Sequence, residues 1–424
     1  MTTQAVSSEA PVKVRRVIIA ASIGNAMEWF DILVYGFFAA TISKLFFPSA
    51  DETVSLLLTF GTFAVSYVVR PLGGLILGAY ADRRGRKRAL MLSIRLMMLA
   101  TLLIAAMPPY AKIGLVAPIA ILLARLVQGF SAGGEFGSAT AFLVEHAPEK
   151  RGFMASWQFA SQGLSTLLAS LFGTVLTATL SDAQLQSWGW RIPFLFGLLI
   201  GPIGYYIRRY VGEAGEFVAT AGVERAPVKE TFRGQKGRMF VAMGALAVST
   251  ALSYLITFMP TFAVKELHLP ASTGFASTLL TGIVLTGLTP LVGHLPDRFG
   301  RTRIMVVFAV LILALVYPSF ALLVAYPGFG VILAVMFVIG VLKAAYFAPL
   351  PAMMADLFPI TSRATGMSVS YNVGVMLFGG TTPLVIVWLV SATGSKISLT
   401  FYLMFLAVLS LASAVVARRV LGVR

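Results

Sequence analysis

Seven charged side chains stand inside long apolar stretches of this sequence: Glu28, Asp31, Arg70, Arg95, Arg125, Glu135 and Lys343. Groups of these types do two kinds of chemistry. A carboxylate takes up and releases a proton, and an ammonium or guanidinium holds an anion. Glu28 lies three residues before Asp31, which puts both carboxylates on one face of a helix. Either is a candidate proton carrier. Polar uncharged residues add possible hydrogen-bonding walls: Gln158, Ser161 and Gln162; Tyr254 and Thr257; Tyr346; Tyr371 and Asn372. Each of these fits a carboxyl or hydroxyl ligand, and each equally fits as glue between helices.

Other chemistries find little support. The sequence has no cysteine and only three scattered histidines, His146, His268 and His294, so no metal site is expected. No glycine loop ends in Gly-Lys-Ser/Thr, so direct nucleotide coupling is not expected. No nucleophile–base set stands apart from the buried charges, so an enzyme is not expected either, and no cofactor.

The elements that must position these charges follow from composition. Of 424 residues, 58% are hydrophobic and 12% charged, with a mean hydropathy of +0.87. A soluble domain carries roughly 25% charge. The sequence therefore predicts an all-α polytopic membrane protein. Twelve apolar runs reach the ~20 residues needed to span a bilayer: 17–45, 54–79, 88–107, 115–141, 153–179, 190–211, 238–263, 272–295, 304–325, 330–355, 366–391 and 399–417. They fall into two six-helix bundles, 17–212 and 238–417, joined by a cytoplasmic linker, 213–237, with cytoplasmic tails at 1–16 and 418–424. Orientation comes from the basic residues: of 33 Lys and Arg, 24 lie in connections on the side of the termini, and only Lys44, Lys112, Lys265 and Lys396 lie in the opposite loops. That is the positive-inside pattern of an inner (plasma) membrane protein. It accounts for most of the net charge of +16 with the lipid bilayer as partner, not nucleic acid.

Helical rise sets depths. Asp31 is about 21 Å into the first span, and Arg125 about 12–15 Å into the fourth, which runs the other way. The two charges therefore reach similar depth, and a pair costs less than either ion alone. Pairing with Arg125 holds Asp31 charged, and separation lets it accept a proton; a static pair that orients two helices is the alternative. Lys343 lies mid-span in the tenth run, too deep to snorkel to either surface, so it is expected to face a cavity and bind a carboxylate. Glu135 is placed nearer the cytoplasm, in a gate or packing network. Arg70 is placed close to the cytoplasmic side, Arg95 as a headgroup anchor, and Trp188 and Trp190 as interfacial belt residues.

A repeat divides the chain. Gly78-Ala-Tyr-Ala-Asp82-Arg83-Arg84-Gly85-Arg86 recurs 215 residues later as Gly293-His-Leu-Pro-Asp297-Arg298-Phe299-Gly300-Arg301. Glu145, Pro148 and Arg151-Gly152 recur as Asp356, Pro359 and Arg363 with Gly366. Glycine permits a tight turn between helices, while Asp and Arg can pair with neighbouring helix ends and stabilise one conformer. Gly-x-x-x-Asp-Arg-x-Gly-Arg between the second and third spans resembles the signature of the major facilitator superfamily. Asn25-x-x-Glu28-Trp-Phe-Asp31, Val69-Arg70-Pro71-Leu-Gly73, Arg125-x-x-Gln128-Gly129 and Gly379-Gly380-Thr-Thr-Pro383 are similar to its metabolite:proton symporter branch, and most similar to bacterial citrate–proton symporters. The resemblance implies a proton-coupled, monomeric carrier of a small acid such as citrate or tricarballylate. Here Asp31, Glu28 and Arg125 would couple the proton. Lys343, Arg125, Gln158, Gln162, Tyr254, Tyr346, Tyr371 and Asn372 would meet the substrate. Asp82, Arg83, Gly85, Arg86, Asp297, Arg298, Gly300 and Arg301 would form the gate motif. Other members of the branch carry 2-oxoglutarate, shikimate, proline or betaine.

Overall fold

The computed structural model describes residues 14–84, 86–134, 136, 140, 143, 148–199, 202, 234–359 and 362–423, and every regular element among them is helical. The first half comprises α1 (Val14–Phe37), α2 (Ala39–Phe46), α3 (Glu52–Arg84), α4 (Arg86–Ala106), α5 (Val116–Ser131), α6 (Arg151–Thr179) and α7 (Arg191–Gly197). The second comprises α8 (Lys236–Lys265), α9 (Ala271–Val292), α10 (Leu295–Phe299), α11 (Arg301–Ala325), α12 (Phe329–Phe347), α13 (Leu350–Leu357), α14 (Arg363–Val375), α15 (Thr382–Thr393) and α16 (Ser398–Arg419).

Each of the twelve expected spans has a helical counterpart. Eight are long and apolar enough to cross a bilayer, and α1–α2 makes a ninth with a 63° bend. The third and fourth have shorter apolar cores, Met91–Ala106 and Val116–Ser131. The sixth is represented by α7, since residues 203–233, which hold its far end and most of the 213–237 linker, lie outside the described residues. Three spans are less regular than the hydropathy pattern suggests. The first turns at Phe38. The tenth breaks between α12 and α13 at Pro349, which has no N–H to continue the ladder. The eleventh passes from α14 to α15 through a π turn, Met376–Gly380.

Burial sorts the helices into central and peripheral sets. In α8, 78% of the apolar window is buried, against 28% in α11. On α11 the exposed Val307, Val310, Leu311 and Leu315, and on α16 the exposed Phe401, Phe405 and Val408, recur at three- to four-residue spacing and form lipid-facing stripes. Of the charged mid-span residues, Glu28, Asp31, Arg70, Arg125 and Lys343 are buried instead. Arg95 is exposed, as an anchor should be.

Close helix contact in the first half depends on glycine. A Cβ on Gly129 of α5 would collide with the Ser66 carbonyl of α3, and one on Gly73 of α3 would collide with the Phe130 carbonyl. Backbone cannot step aside as a side chain can, so α3 and α5 approach only because these positions lack a side chain. Gly129→Val is expected to cost about 1–3 kcal/mol through overpacking and to lower the melting temperature of the purified protein. Gly330→Ala, where a Cβ meets nothing within 4 Å, should leave it unchanged or slightly raised.

Candidate functional site

The site is built where the two halves meet. Asp31 of α1 and Arg125 of α5 are both fully buried. They reach the same region but form no direct ion pair; two neutral side chains stand between them. Thr101 Oγ1 of α4 donates to Asp31 Oδ2 at 3.1 Å, and Gln128 Nε2 donates to Thr101 Oγ1 at 2.9 Å. Arg125 Nη1 then donates to Gln128 Oε1 at 2.7 Å, and Nη2 to Ser66 Oγ at 3.3 Å. The guanidinium lies over the rings of Tyr35 (4.6 Å) and Phe63 (5.0 Å). The other carboxylate oxygen, Asp31 Oδ1, finds no hydrogen-bond donor among the described residues and lies where a Cβ on Gly197 of α7 would stand. A proton arriving at Asp31 would change a four-member relay, not a single contact. Sequence reasoning missed Thr101, Gln128 and Ser66. Gln128 carried a signal, since it is three residues from Arg125 and so shares its helix face; Thr101 carried none.

Lys343 of α12 is 3% exposed and so does not face lipid. Its Nζ lies 4.6 Å from the centre of the Phe347 ring. It has no ion pair or hydrogen bond among the described residues. Phe347 in turn stacks face to face on Phe159 of α6 at 3.5 Å, and Phe136 stacks on Tyr371 of α14 at 3.5 Å, so aromatic contacts bridge the halves beside the lysine. Glu28 is buried on the same inner surface. Arg70 is also buried, with its Nη2 donating to the Ala132 carbonyl at 3.2 Å and its guanidinium between Trp29 (5.2 Å) and Tyr67 (5.4 Å).

The polar walls divide. Gln162 Nε2 donates to the Tyr371 hydroxyl (3.2 Å), Asn372 Nδ2 to the Gly133 carbonyl (2.7 Å) and Tyr254 to the Tyr67 hydroxyl (2.7 Å), so these four link the halves. Gln158 exchanges hydrogen bonds with Asn25, and Asn25 donates to Ser161, tying α6 to α1 within the first half. Tyr346 donates to the Ala245 carbonyl at 2.7 Å, within the second half. Trp190 departs from its expected place at the membrane surface. It is 1% exposed, packed on Phe46 and Phe194 with Arg191 over its ring, because the bend into α2 brings Phe46 across it. Trp188 is exposed, as an interfacial residue is.

The second copy of the repeated motif closes the end that carries Arg151, Lys236, Arg301 and Arg363, the basic end. Asp297 Oδ1 accepts from the Gly152 N–H at 2.9 Å and Oδ2 from the Phe153 N–H at 3.3 Å. A carboxylate of one half thus caps the first turn of α6 in the other, where unpaired N–H groups and the helix dipole favour negative charge. Arg301 pairs with Asp356, as does Arg151 from the first half at 3.6 Å. Gly300, with φ 89°, makes the turn from α10 into α11, and Arg298 is exposed. At the opposite end Lys265 pairs with Glu52, and Phe60 meets Phe258 edge to face. Gly85, Glu135 and Glu145 lie outside the described residues, as do the side chains of Asp82, Arg83 and Arg86.

The family model of the Major Facilitator Superfamily matches residues 21–322 and 271–424. The chain belongs to that superfamily. It is a multi-pass membrane transporter, and the superfamily's members move solutes; they are not enzymes. The chain is 36% identical over 416 residues to the citrate-proton symporter of Klebsiella pneumoniae, covering 96% of this chain and 94% of that one. It is 33% identical over 418 residues to the proline/betaine transporter of Escherichia coli strain K12, covering 95% and 83%. Among solved structures it resembles a D-xylose-proton symporter, with a TM-score of 0.73 at 17% identity over 96% of this chain and 98% of that one. At that identity the likeness speaks for the fold, two six-helix bundles.

Loss of the cap across the halves should favour opening at the basic end. Asp297→Ala is expected to cost the closed state about 0.5–2 kcal/mol, a two- to thirty-fold shift in population. The sequence has no cysteine, so a single Ser156→Cys beside Gly293 reports it. Maleimide labelling of that thiol should accelerate in the Asp297→Ala background.

Proposed function

We propose that the chain is a proton-coupled symporter that imports a small polycarboxylate, such as citrate or tricarballylate, across the bacterial inner membrane. The observation that carries this reading is Lys343: a buried cation, mid-span, beside the contact between the halves, with no protein carboxylate paired to it among the described residues. An ammonium kept at such depth is costly unless an anion meets it during the working cycle. The citrate-proton symporters among the relatives point the same way.

Proline/betaine transporters of comparable identity support a second reading. A quaternary ammonium is held by aromatic faces. Here Trp29 and Tyr67 face Arg70, while Tyr35 and Phe63 face Arg125. The protein's own cations occupy those rings, which favours an anionic substrate.

In this scheme 17–212 and 238–417 rock about the central site, both termini and the 213–237 linker face the cytoplasm, and one chain suffices. The acid is oriented by Lys343, with Gln162, Tyr254, Tyr371 and Asn372 at the contact between halves. Gln158 and Tyr346 support the helices behind them. A proton on Asp31, or on Glu28, removes the negative charge that the relay to Arg125 balances, and so changes which conformer is preferred. Asp297, Arg298, Gly300 and Arg301, and their counterparts Asp82, Arg83, Gly85 and Arg86, gate the cytoplasmic end.

A thermal-shift and calorimetric screen against citrate, tricarballylate, 2-oxoglutarate, shikimate and betaine tests the substrate class. Citrate or tricarballylate should bind, and Lys343→Ala should weaken that binding about 30-fold or more, the equivalent of about 2 kcal/mol for an unpaired buried charge. Stabilisation by betaine alone would sink the reading. In proteoliposomes, Asp31→Asn should retain citrate counterflow and lose accumulation driven by a pH gradient.

A further inference from the structure

Arg70 is a buried cation with two guanidinium nitrogens that find no acceptor among the described residues, where Arg125 has one. Its guanidinium is 3% exposed, and no carboxylate lies within 4.0 Å of it among the described residues. Nη2 is used, donating to Ala132. Nε and Nη1 are fully enclosed and reach no acceptor among the described residues. A buried guanidinium with idle donors is less favourable than an apolar side chain of the same volume. Fold stability alone therefore gives no reason for arginine here.

Its position does. The carbonyl next to the one Arg70 binds, that of Gly133, accepts from Asn372 of the second half. Tyr67, which lies against the guanidinium, hydrogen-bonds to Tyr254 of the second half. Arg70 thus stands on the first-half side of the seam whose second-half side holds Lys343. The rings of Trp29 and Tyr67 lie against the guanidinium, and this restriction lowers the entropy that ordering a long side chain on a ligand would cost.

We propose that Arg70 is a second anion-binding residue of the transported acid's site. Its idle N–H groups take one carboxylate while Lys343 takes another, so the substrate must carry at least two carboxylates, one for each half. This rests on the polycarboxylate reading and deepens it: an acid with one carboxylate on each cation would draw the halves together.

The test uses the full chain, purified, as wild type, Arg70→Gln and Arg70→Lys. Citrate and tricarballylate affinities are measured by calorimetry and ligand-free stability by thermal melting. Arg70→Gln should weaken citrate at least 30-fold with a melting temperature equal to or above wild type, because an unpaired buried cation has been removed. Arg70→Lys keeps the charge but loses the planar donor set, and should weaken citrate about tenfold. If Arg70→Gln does not fold, Arg70→Lys decides. Affinities within threefold of wild type overturn the assignment while leaving the polycarboxylate reading intact. So does a lowered melting temperature with unchanged affinity, the mark of a tie between helices. Wild-type protein that binds neither acid overturns both.

Discussion

The cost of an ion in hydrocarbon governs this molecule. A single charge at the centre of a helix costs at least ~2.5–3.5 kcal/mol on insertion scales, and the sequence places several there. The structure meets that cost by enclosure. Asp31, Arg125, Arg70 and Lys343 all lie on inner helices, while the lipid-facing stripes of α11 and α16 are apolar. Within the enclosure the charges are not simply neutralised in pairs. Thr101 and Gln128 separate Asp31 from Arg125, so the carboxylate is held by a neutral hydroxyl and keeps one oxygen without a donor among the described residues. A tight ion pair would lock α1 to α5. A relay through neutral groups can change its hydrogen bonds when a proton arrives without first pulling two opposite charges apart.

The two ends of the seam are closed by different chemistry. At the basic end the contacts are polar and directional: Asp297 on the first turn of α6, Arg151 and Arg301 on Asp356. They form only in one relative position of the halves, and water satisfies the same groups once they part. At the opposite end Phe60 meets Phe258 edge to face, with Lys265 and Glu52 paired at the rim. A substrate or proton that binds one arrangement better than the other shifts the balance by that difference in affinity and no more. The glycines beside these contacts matter for the same reason. A Cβ at Gly152 would run into Asp297 and the Gly293 carbonyl, so the cap requires glycine at that position.

Much of this was legible in the sequence, for identifiable reasons. Hydropathy located every span, because a bilayer demands long apolar runs and little else mimics them. The repeat singled out Asp297, which behaves as a carboxylate at a helix end should. Helical rise brought Asp31 and Arg125 to one depth. It could not show what stands between them, since rise gives height and not azimuth. The same limit applies to Arg70. Its height put it near the cytoplasmic side, but its direction, inward between Trp29 and Tyr67, comes from rings on two helices. Trp190 was misread because tryptophan beside a membrane end is usually interfacial. Here the bend at Phe38 lays Phe46 over it, and no periodicity announces that bend.

The irregular backbone of three spans lies against the partner half. The first span turns at Phe38, which packs on Phe275 of the other half. The tenth breaks just after Phe347, which stacks on Phe159 of the other half. The eleventh carries its π turn at Gly379 and Gly380, where a Cβ would strike Tyr254 and Tyr67, the two tyrosines joined across the seam. Every one of these departures from a straight helix touches the partner half, whereas the peripheral α11 and α16 run without interruption. Broken helices carry backbone groups that a neighbour must satisfy, so lipid tolerates them only where protein covers them. They are also where a helix can bend without repacking its whole length. A bundle held together for stability alone has no use for three such breaks on one internal surface. A surface that must part and re-form does, and Arg70 and Lys343 are buried beside it.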